Sequence, residues 1–223
     1  MHTTSTSADR PLRLAVDGDG LSRPQAGVGV YTREVVTALA ATEPVALTVY
    51  APGGAALPAG VQRAGRSRLP LLGRHLLWPA ALRRSGAEAF LGCAGQLPLG
   101  GAGVPSVVVA HDLAIYRHPE WFPKGQWLSV RQVVPRSLRR AGRVACVSEA
   151  TARDVEALFQ VPRSRLRVVP LGVDARFRPQ SPETVADLRR RLQLPERFCL
   201  FLSTIEPRKN LPILVDAWSH LRD

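Results

Sequence analysis

The stretch LRLAVDGDGLSRPQAGVGVYTREVVTALAA, residues 12–41, decides the fold of this chain. It opens with the apolar run Leu12–Val16, which ends in Asp17, and then passes through a loop rich in glycine. From Val30 to Ala41 the apolar side chains recur at helical spacing. The stretch therefore predicts a β-strand, a loop and an α-helix.

The same alternation of strand and helix continues to about residue 169. Further strands are predicted at Val45–Tyr50, Ala87–Leu91, Ser106–Ala110, Arg143–Val147 and Leu166–Val169. Helices are predicted at Leu71–Arg84 with a kink at Pro79, at Lys124–Ala141 with a bend near Pro135, and at Glu149–Phe159 behind Ser148 as N-cap. Such alternation predicts an α/β fold, a Rossmann-like doubly wound parallel sheet with helices on both faces.

A second domain is predicted to begin near the end of the chain. A stretch punctuated by proline follows residue 170, and Ser181 with Pro182 predicts a helix that ends near Leu192. Phe198–Leu202 is predicted as the first strand of another Rossmann-like domain. We therefore divide the chain into a disordered tail (1–10), an N-terminal domain (11–178), and a linker helix with the first βα unit of an incomplete second domain (179–223).

Composition narrows the class of protein. The chain has 223 residues, 45% of them hydrophobic, and its 30 basic and 18 acidic residues give a net charge of +12. Such a charge favours anionic partners. Nearly all of the positive charge comes from arginine, Lys124 and Lys209 being the only lysines, and no nucleic-acid-binding signature accompanies it. We expect no nucleic-acid partner, and a steep salt dependence of DNA binding would contradict this.

The cysteines and the N-terminus bear on the compartment. Cys93, Cys146 and Cys199 are far apart and lie in apolar or small-residue surroundings, which predicts buried free thiols in a reducing environment. No stretch reaches the roughly 18 apolar residues of a membrane-spanning helix. We expect a cytoplasmic protein, and the basic segments 74–84 and 131–143 are either solvated helix faces or a peripheral contact with an anionic membrane at its inner face.

Two candidate groups lie where strands of the first domain end. Gly27 and Gly29 follow the first strand, where glycine permits close backbone approach and a helix N-terminus offers N–H groups to an anion. The alternative is a tight turn without function. His111 and Asp112 follow the valine-rich strand, and an imidazole there can donate a hydrogen bond to a sugar or to reacting oxygens. A histidine bonded to local backbone beside a capping aspartate is the alternative.

Two more candidates are a serine and a basic turn. Ser148 is either a functional residue or only a helix cap. In Glu206-Pro207-Arg208-Lys209-Asn210, two cations precede a predicted helix with Asn210 as its N-cap. Side-chain charge and helix dipole would converge there on one anion, and a diphosphate fits this arrangement. A solvated basic turn is the alternative.

These motifs together resemble the retaining glycosyltransferases of family 4, which have the GT-B fold. The resemblance is carried by Gly27–Thr32, His111-Asp112, Ser148-Glu149, Pro170–Pro179 and Glu206–Asn210. It covers nearly the whole chain but only about the first half of such an enzyme. The form Glu-Pro-Arg-Lys-Asn is similar to that of mannosyltransferase-like members. Where many members have glycine, this chain has Ser203.

The resemblance implies an activity and a role for each candidate. The reaction would transfer a hexose from a nucleotide-sugar donor, GDP-mannose first among the candidates, to a carbohydrate or lipid-linked acceptor hydroxyl with retention and without a metal. His111, with Asp112, would lie near the transferred sugar. Tyr31 and Ser148 would contact the acceptor or sugar. The donor diphosphate would be bound by Gly27, Gly29, Arg208 and Lys209.

The family's Glu-x7-Glu pair, which holds the donor, has no counterpart here, since Glu206 is the last glutamate. We therefore expect these residues alone to transfer sugar slowly or not at all, and to self-associate through the incomplete second domain. One alternative is a non-catalytic acceptor-binding or interaction module that needs a separate second half. A nucleotide-sugar epimerase on the same architecture is another, and the contexts of Tyr31-Thr32 and His111-Asp112 count against it.

Overall fold

The computed structural model describes residues 10–22, 27–51, 53–64, 75, 77–122, 125 and 128–221. All of the predicted tail except Arg10 lies outside these residues. The chain divides into two compact units, Met1–Arg117 with Pro123–Pro170, and His118–Phe122 with Leu171–Asp223. No helix in the described part of the chain has the length and apolar character needed to cross a membrane.

A seven-stranded parallel sheet forms the centre of the first unit, in the order β3-β2-β1-β4-β5-β6-β7. Its strands are β1 (Leu12–Asp17), β2 (Val45–Tyr50), β3 (Gln62–Ala64), β4 (Ala89–Gly92), β5 (Ser106–Ala110), β6 (Arg143–Cys146) and β7 (Leu166–Val168). The predicted doubly wound Rossmann-like sheet is thus confirmed. Only β3 is absent from the prediction, because its Gln-Arg-Ala sequence has no apolar run.

The helices of the first unit are α1 (Gly27–Ala40), α2 (Trp78–Arg84), α3 (Ala114–Arg117), α4 (Val134–Arg140) and α5 (Glu149–Phe159). Short 3-10 turns span Asp19–Ser22 and Arg163–Arg165, and a π turn spans Ser129–Val133. Of the helix predicted at Leu71–Arg84, residues 71–74 and 76 lie outside the described residues, so the kink at Pro79 stays a prediction. Pro79 lies in the first turn of α2, where proline is well tolerated. The predicted bend near Pro135 falls where the π turn passes into α4.

Apolar side chains cover both faces of the sheet. Neighbouring residues of β1 separate between two clusters, Ala15 with Trp78 and Phe90 on one side, and Val16 with Val36 and Val49 on the other. This separation follows from the alternation of side chains along a strand. The last three residues of the valine-rich β5 are buried. A strand that is covered on both faces needs apolar side chains on both, which explains its run of valines.

The second unit consists of short elements joined by extended backbone. Its helices are α6 (Pro182–Leu192) and α7 (Leu211–Ser219), with 3-10 turns at Pro119–Trp121 and Pro207–Lys209. The predicted start of α6 is confirmed, since the Ser181 hydroxyl accepts a hydrogen bond from the Thr184 N–H. The predicted strand Phe198–Leu202 is wrong. A strand needs a paired neighbour, and no strand is formed within the described residues of this unit.

The prediction that all three cysteines are buried is wrong for one of them. Cys93 and Cys146 are buried in the first unit, whereas Cys199 is exposed. The predicted strand would have buried Cys199 in a second sheet, and without that sheet its side chain meets solvent. All three thiols are free, as predicted.

Candidate functional site

A cavity of about 230 Å³ lies at the carboxyl edge of the first unit's sheet. Its lining includes Val28 of α1, Gly95 after β4, His111 and Asp112 after β5, and Tyr116 of α3. Open α/β sheets bind ligands at this edge, close to the point where the strand order reverses. Here the reversal falls at β1, because β2 lies on one side of it and β4 on the other.

His111 is held in place by three neighbours. Its Nε2 lies 2.8 Å from the carbonyl oxygen of Cys93. The hydroxyl of Thr151 donates a hydrogen bond to the backbone carbonyl oxygen of His111 at 3.0 Å. The ring of Tyr31 meets the imidazole edge to face, with 4.8 Å between ring centroids and an angle of 88°. A carbonyl oxygen can only accept, so the proton resides on Nε2. A neutral His111 therefore has Nδ1 as its remaining nitrogen, and this nitrogen is an acceptor.

Three buried residues, Asp17, Thr32 and Cys93, lie near His111 and Tyr31 at the carboxyl ends of β1 and β4. Asp17 ends β1 at 0% exposure, Thr32 of α1 is equally buried, and Cys93 follows β4. Burial is the main cause that raises the pKa of the Cys93 thiol, and the negative charge of Asp17 raises it further, with a smaller opposing effect of Thr32. Burial, and then Cys93, also raise the pKa of Tyr31. The thiol thus stays protonated and packs as a small apolar group.

Asp17, Thr32 and Cys93 are not among the site residues predicted from the sequence. A signal was present in Asp17, a carboxylate that directly ends an apolar run. Its Oδ1 accepts from the Asp19 N–H at 3.0 Å, which fixes the turn after β1. Gly20 in this turn is required for packing, because a Cβ there would lie 2.6 Å from the hydroxyl oxygen of Thr32.

Gly27 and Gly29 occupy the first turn of α1, not a loop before it. The expectation of a glycine loop there is corrected, since the helix begins three residues earlier than the apolar spacing indicated. Apart from its chain neighbours and its own helix backbone, a Cβ built on the exposed Gly27 would meet no atom within 4 Å. Gly29 is buried. The N–H groups of a first turn have no partner inside the helix, which keeps them available to an anion.

Asp112 and Ser148 both bond to local backbone. Oδ1 of Asp112 accepts from the Ala114 N–H at 3.2 Å and so begins α3. Ser148 caps α5, because its hydroxyl accepts from the Thr151 N–H at 3.1 Å. Asp112 lines the cavity, and Ser148 is not among its lining residues.

The two cations of the basic turn in the second unit, Arg208 and Lys209, differ in their ion pairing. Arg208 forms an ion pair with Glu206 at 2.9 Å, whereas Lys209 pairs with no carboxylate in the described part of the chain. The Thr204 hydroxyl is the main cause that lowers the pKa of Glu206, and Arg208 contributes less. Asn210 precedes α7 in the left-handed conformation at φ 48°, and its side chain makes no capping hydrogen bond. The predicted cap is therefore present in position but not in hydrogen bonding.

The first unit has the Rossmann-like architecture of a GT-B glycosyltransferase domain. Among solved structures, the chain is similar to HepE of Anabaena in complex with UDP, with a TM-score of 0.64, 19% identity, and coverage of 93% of this chain and 57% of that one. A glycosyltransferase of Rickettsia africae gives a TM-score of 0.54 at 12% identity, with coverage of 96% and 58%. At such identities the likeness concerns the fold.

Sequence comparison identifies the family. The model of Glycosyltransferase Family 4 matches residues 26–177, so the chain belongs to that family. The chain is 28% identical over 117 residues to O-antigen chain mannosyltransferase B of Escherichia coli, a match that covers 52% of this chain and 31% of the relative. A serotype-specific mannosyltransferase, WbdA, of Escherichia coli is 31% identical over 121 residues, which cover 52% of this chain and 15% of the relative. The chain thus matches a third or less of the length of these curated relatives.

Proposed function

We propose that this chain takes part in the transfer of a hexose, mannose as first candidate, from a nucleotide-sugar donor to an acceptor hydroxyl with retention of configuration. The observation that carries the proposal is His111, fixed at the cavity on the carboxyl edge of the sheet in a chain of Glycosyltransferase Family 4. The similarity to two mannosyltransferases of Escherichia coli supports mannose. The solved complexes of HepE contain UDP or UDP and glucose, so a uridine donor is tested beside GDP-mannose.

His111 would bind and orient the transferred sugar. Because Nε2 already donates to the Cys93 carbonyl, the neutral imidazole has Nδ1 to accept a hydrogen bond from a sugar hydroxyl. The ring contact with Tyr31 limits rotation of the imidazole, and such fixed orientation supplies much of the rate of a transfer reaction. Asp112 lines the same cavity and would lie with His111 near the transferred sugar. Tyr31 and Ser148 remain candidates for contacts to the sugar or the acceptor.

The donor diphosphate would be bound by Lys209, with Arg208, Gly27 and Gly29 as further candidates. Lys209 forms no ion pair in the described part of the chain, although its charge acts on nearby Glu206, so its ammonium group is not held by a carboxylate and can contact a phosphate. Cationic side chains and helix N–H groups can take the place of a divalent metal at a diphosphate. We accordingly expect donor binding to be insensitive to a chelator such as EDTA.

Calorimetric titration of the purified chain with GDP-mannose, UDP-glucose and the free nucleotides tests the donor. Lys209→Ala should weaken binding roughly tenfold or more, since it removes a charge-assisted contact to phosphate. Arg197→Ala is the matched control, because it removes one exposed positive charge of the same unit. Equal affinity of the two variants would contradict the role of Lys209.

Transfer itself is tested by the turnover of the bound donor and by the anomeric configuration of the product. His111→Ala should lower turnover more than donor affinity, because an orienting group acts chiefly on the chemical step. An inverted product would contradict retention. Because these residues alone are expected to transfer sugar slowly or not at all, turnover is measured at high enzyme concentration. Acceptor binding without donor binding or turnover would favour the acceptor-binding module over the transferase.

A further inference from the structure

A second concave site lies at the opposite, amino edge of the sheet. Its volume is about 430 Å³, and its lining comprises Leu97, Gly101–Ser106 and Arg140. Ser106 begins β5, whereas His111 follows the end of that strand. At about 3.3 Å per residue, the five residues of β5 separate the two sites by roughly 16 Å. We call this second site the basic cleft.

Two basic helices end at the basic cleft. The last turn of α2 contains Arg83 and Arg84, and the last turn of α4 contains Arg139 and Arg140. The Arg83 guanidinium lies against the glycine loop, because a Cβ built on Gly103 would be 2.9 Å from its Nη1. Gly103 also has a φ of +74°, so a side chain there is disfavoured by the backbone conformation.

The guanidinium groups at the cleft lack acidic partners. Within the described residues no carboxylate pairs with Arg83, Arg140 or Arg143. Glu88, which precedes β4 at this edge, is already engaged by Arg10 and Arg13. Arg143 begins β6 beside the cleft, where the backbone of Gly142 packs against Ser106. Positive charge therefore accumulates at this edge without local neutralisation.

The loop that forms the wall of the cleft is anchored at both sides. The Leu97 N–H donates to the Ser137 hydroxyl at 2.8 Å, and the Leu99 N–H donates to Nδ1 of the buried His75 at 3.2 Å. The Arg140 guanidinium donates to the Leu99 carbonyl, and the Gly101 N–H donates to the Pro98 carbonyl at 2.7 Å. A ligand would thus meet a preformed wall, which lowers the entropic cost of binding.

From this geometry we propose that the basic cleft binds a phosphate group through Arg83 and Arg140, with Arg143 alongside. The planar guanidinium matches the geometry of phosphate oxygens and can donate two parallel hydrogen bonds. The exposed position of the arginines admits either a free phosphate compound or the headgroup of an anionic phospholipid. This site is separate from the candidate sugar site, so it stands or falls independently of the proposed function.

The test compares the full chain with Arg83→Gln/Arg140→Gln in two assays. Titration with inorganic pyrophosphate measures binding of a free phosphate compound. Flotation with vesicles of equimolar phosphatidylglycerol and phosphatidylcholine, against phosphatidylcholine alone, measures binding of the headgroup. Arg190→Gln/Arg191→Gln is the matched control, since it removes two exposed positive charges from α6.

The double variant should lose roughly tenfold or more in affinity in at least one assay, while the control retains it. Loss with pyrophosphate identifies a free phosphate compound, and loss only with anionic vesicles identifies the lipid headgroup. Arg83→Glu separates loss of binding from loss of folding, because Arg83 makes no hydrogen bond that anchors the loop. This variant should bind less tightly while its melting temperature stays unchanged. Equal binding by the wild type, the double variant and the control in both assays, or no binding at all, would overturn the proposal.

Discussion

Single hydrogen bonds at the candidate site determine what its residues can do. Because the Cys93 carbonyl accepts from His111, the neutral imidazole should exist as the Nε2–H tautomer. Long-range ¹H–¹⁵N correlation spectra of the labelled protein distinguish the two ring nitrogens. We expect a protonated Nε2 signal and an unprotonated Nδ1 signal for His111. The reverse assignment would remove the acceptor role that the proposed function gives to Nδ1.

The buried thiol of Cys93 makes stability depend on alkaline pH. Burial raises its pKa, so the folded protein retains the thiol proton at a pH where the unfolded chain has released it. The free energy of unfolding should therefore fall as pH rises above about 8.5, by at most about 1.4 kcal/mol per pH unit for one group. Urea unfolding measures this dependence from neutral pH to above about pH 8.5. The free energy of unfolding of Cys93→Ala should fall less steeply with pH than that of the wild type.

Cys199→Ala is the control for this measurement, because Cys199 is exposed. It should decline with pH as the wild type does. Burial also raises the pKa of Cys146, so part of the decline should persist in Cys93→Ala. Identical slopes for the wild type and Cys93→Ala would show that the Cys93 thiol does not contribute.

At the scale of elements, the first turn of α5 tests which role Ser148 has. Ser148→Ala removes the acceptor for the Thr151 N–H and should destabilise the protein by about 1 kcal/mol. Ser148→Asp retains an N-cap and should restore most of that loss. Urea unfolding of the two variants measures the effect on the cap. If Ser148→Asp restores stability but not hexose transfer, Ser148 also contacts a ligand, and recovery of both would limit it to the cap.

Elements with a long apolar run or a clear cap could be predicted from the sequence. β5 and the start of α5 at Ser148 belong to this group, because local chemistry alone specifies them. β3 could not be predicted, since its Gln-Arg-Ala residues pair with β2 only in the folded sheet. Phe198–Leu202 has the apolar run of a strand but no partner strand within the described residues. Propensity therefore failed where tertiary pairing decides the outcome.

In the candidate site, too, the features set by local sequence could be predicted, and those set by tertiary contacts could not. The position of His111 followed from its place directly after an apolar strand, because parallel strands all present their carboxyl ends at one edge. Its hydrogen bond to Cys93 and its ring contact with Tyr31 join distant parts of the chain. No local pattern encodes such contacts. They could be found only once the order of β1, β4 and β5 in the sheet was known.

For the molecule as a whole, the exposed apolar side chains of the second unit govern its behaviour in solution. Leu200, Leu202 and Ile205 have exposed fractions of 78%, 91% and 84%. Apolar surface of this kind favours association, at roughly 25 cal/mol per Å² removed from water. We therefore expect this 24.2 kDa chain to self-associate as its concentration rises. Sedimentation velocity over a series of concentrations measures this association.

The variant Leu202→Lys/Ile205→Lys should shift the chain toward the monomer, because it replaces two exposed apolar side chains by charged ones. Its matched control is Gln180→Lys/Ser203→Lys, which adds the same charge to the second unit at exposed polar positions. If association were merely limited by net charge, both variants would weaken it equally. A specific role of the apolar surface requires that the control still associate while the Leu202 and Ile205 variant does not, and a wild type that stays monomeric at every concentration would refute it.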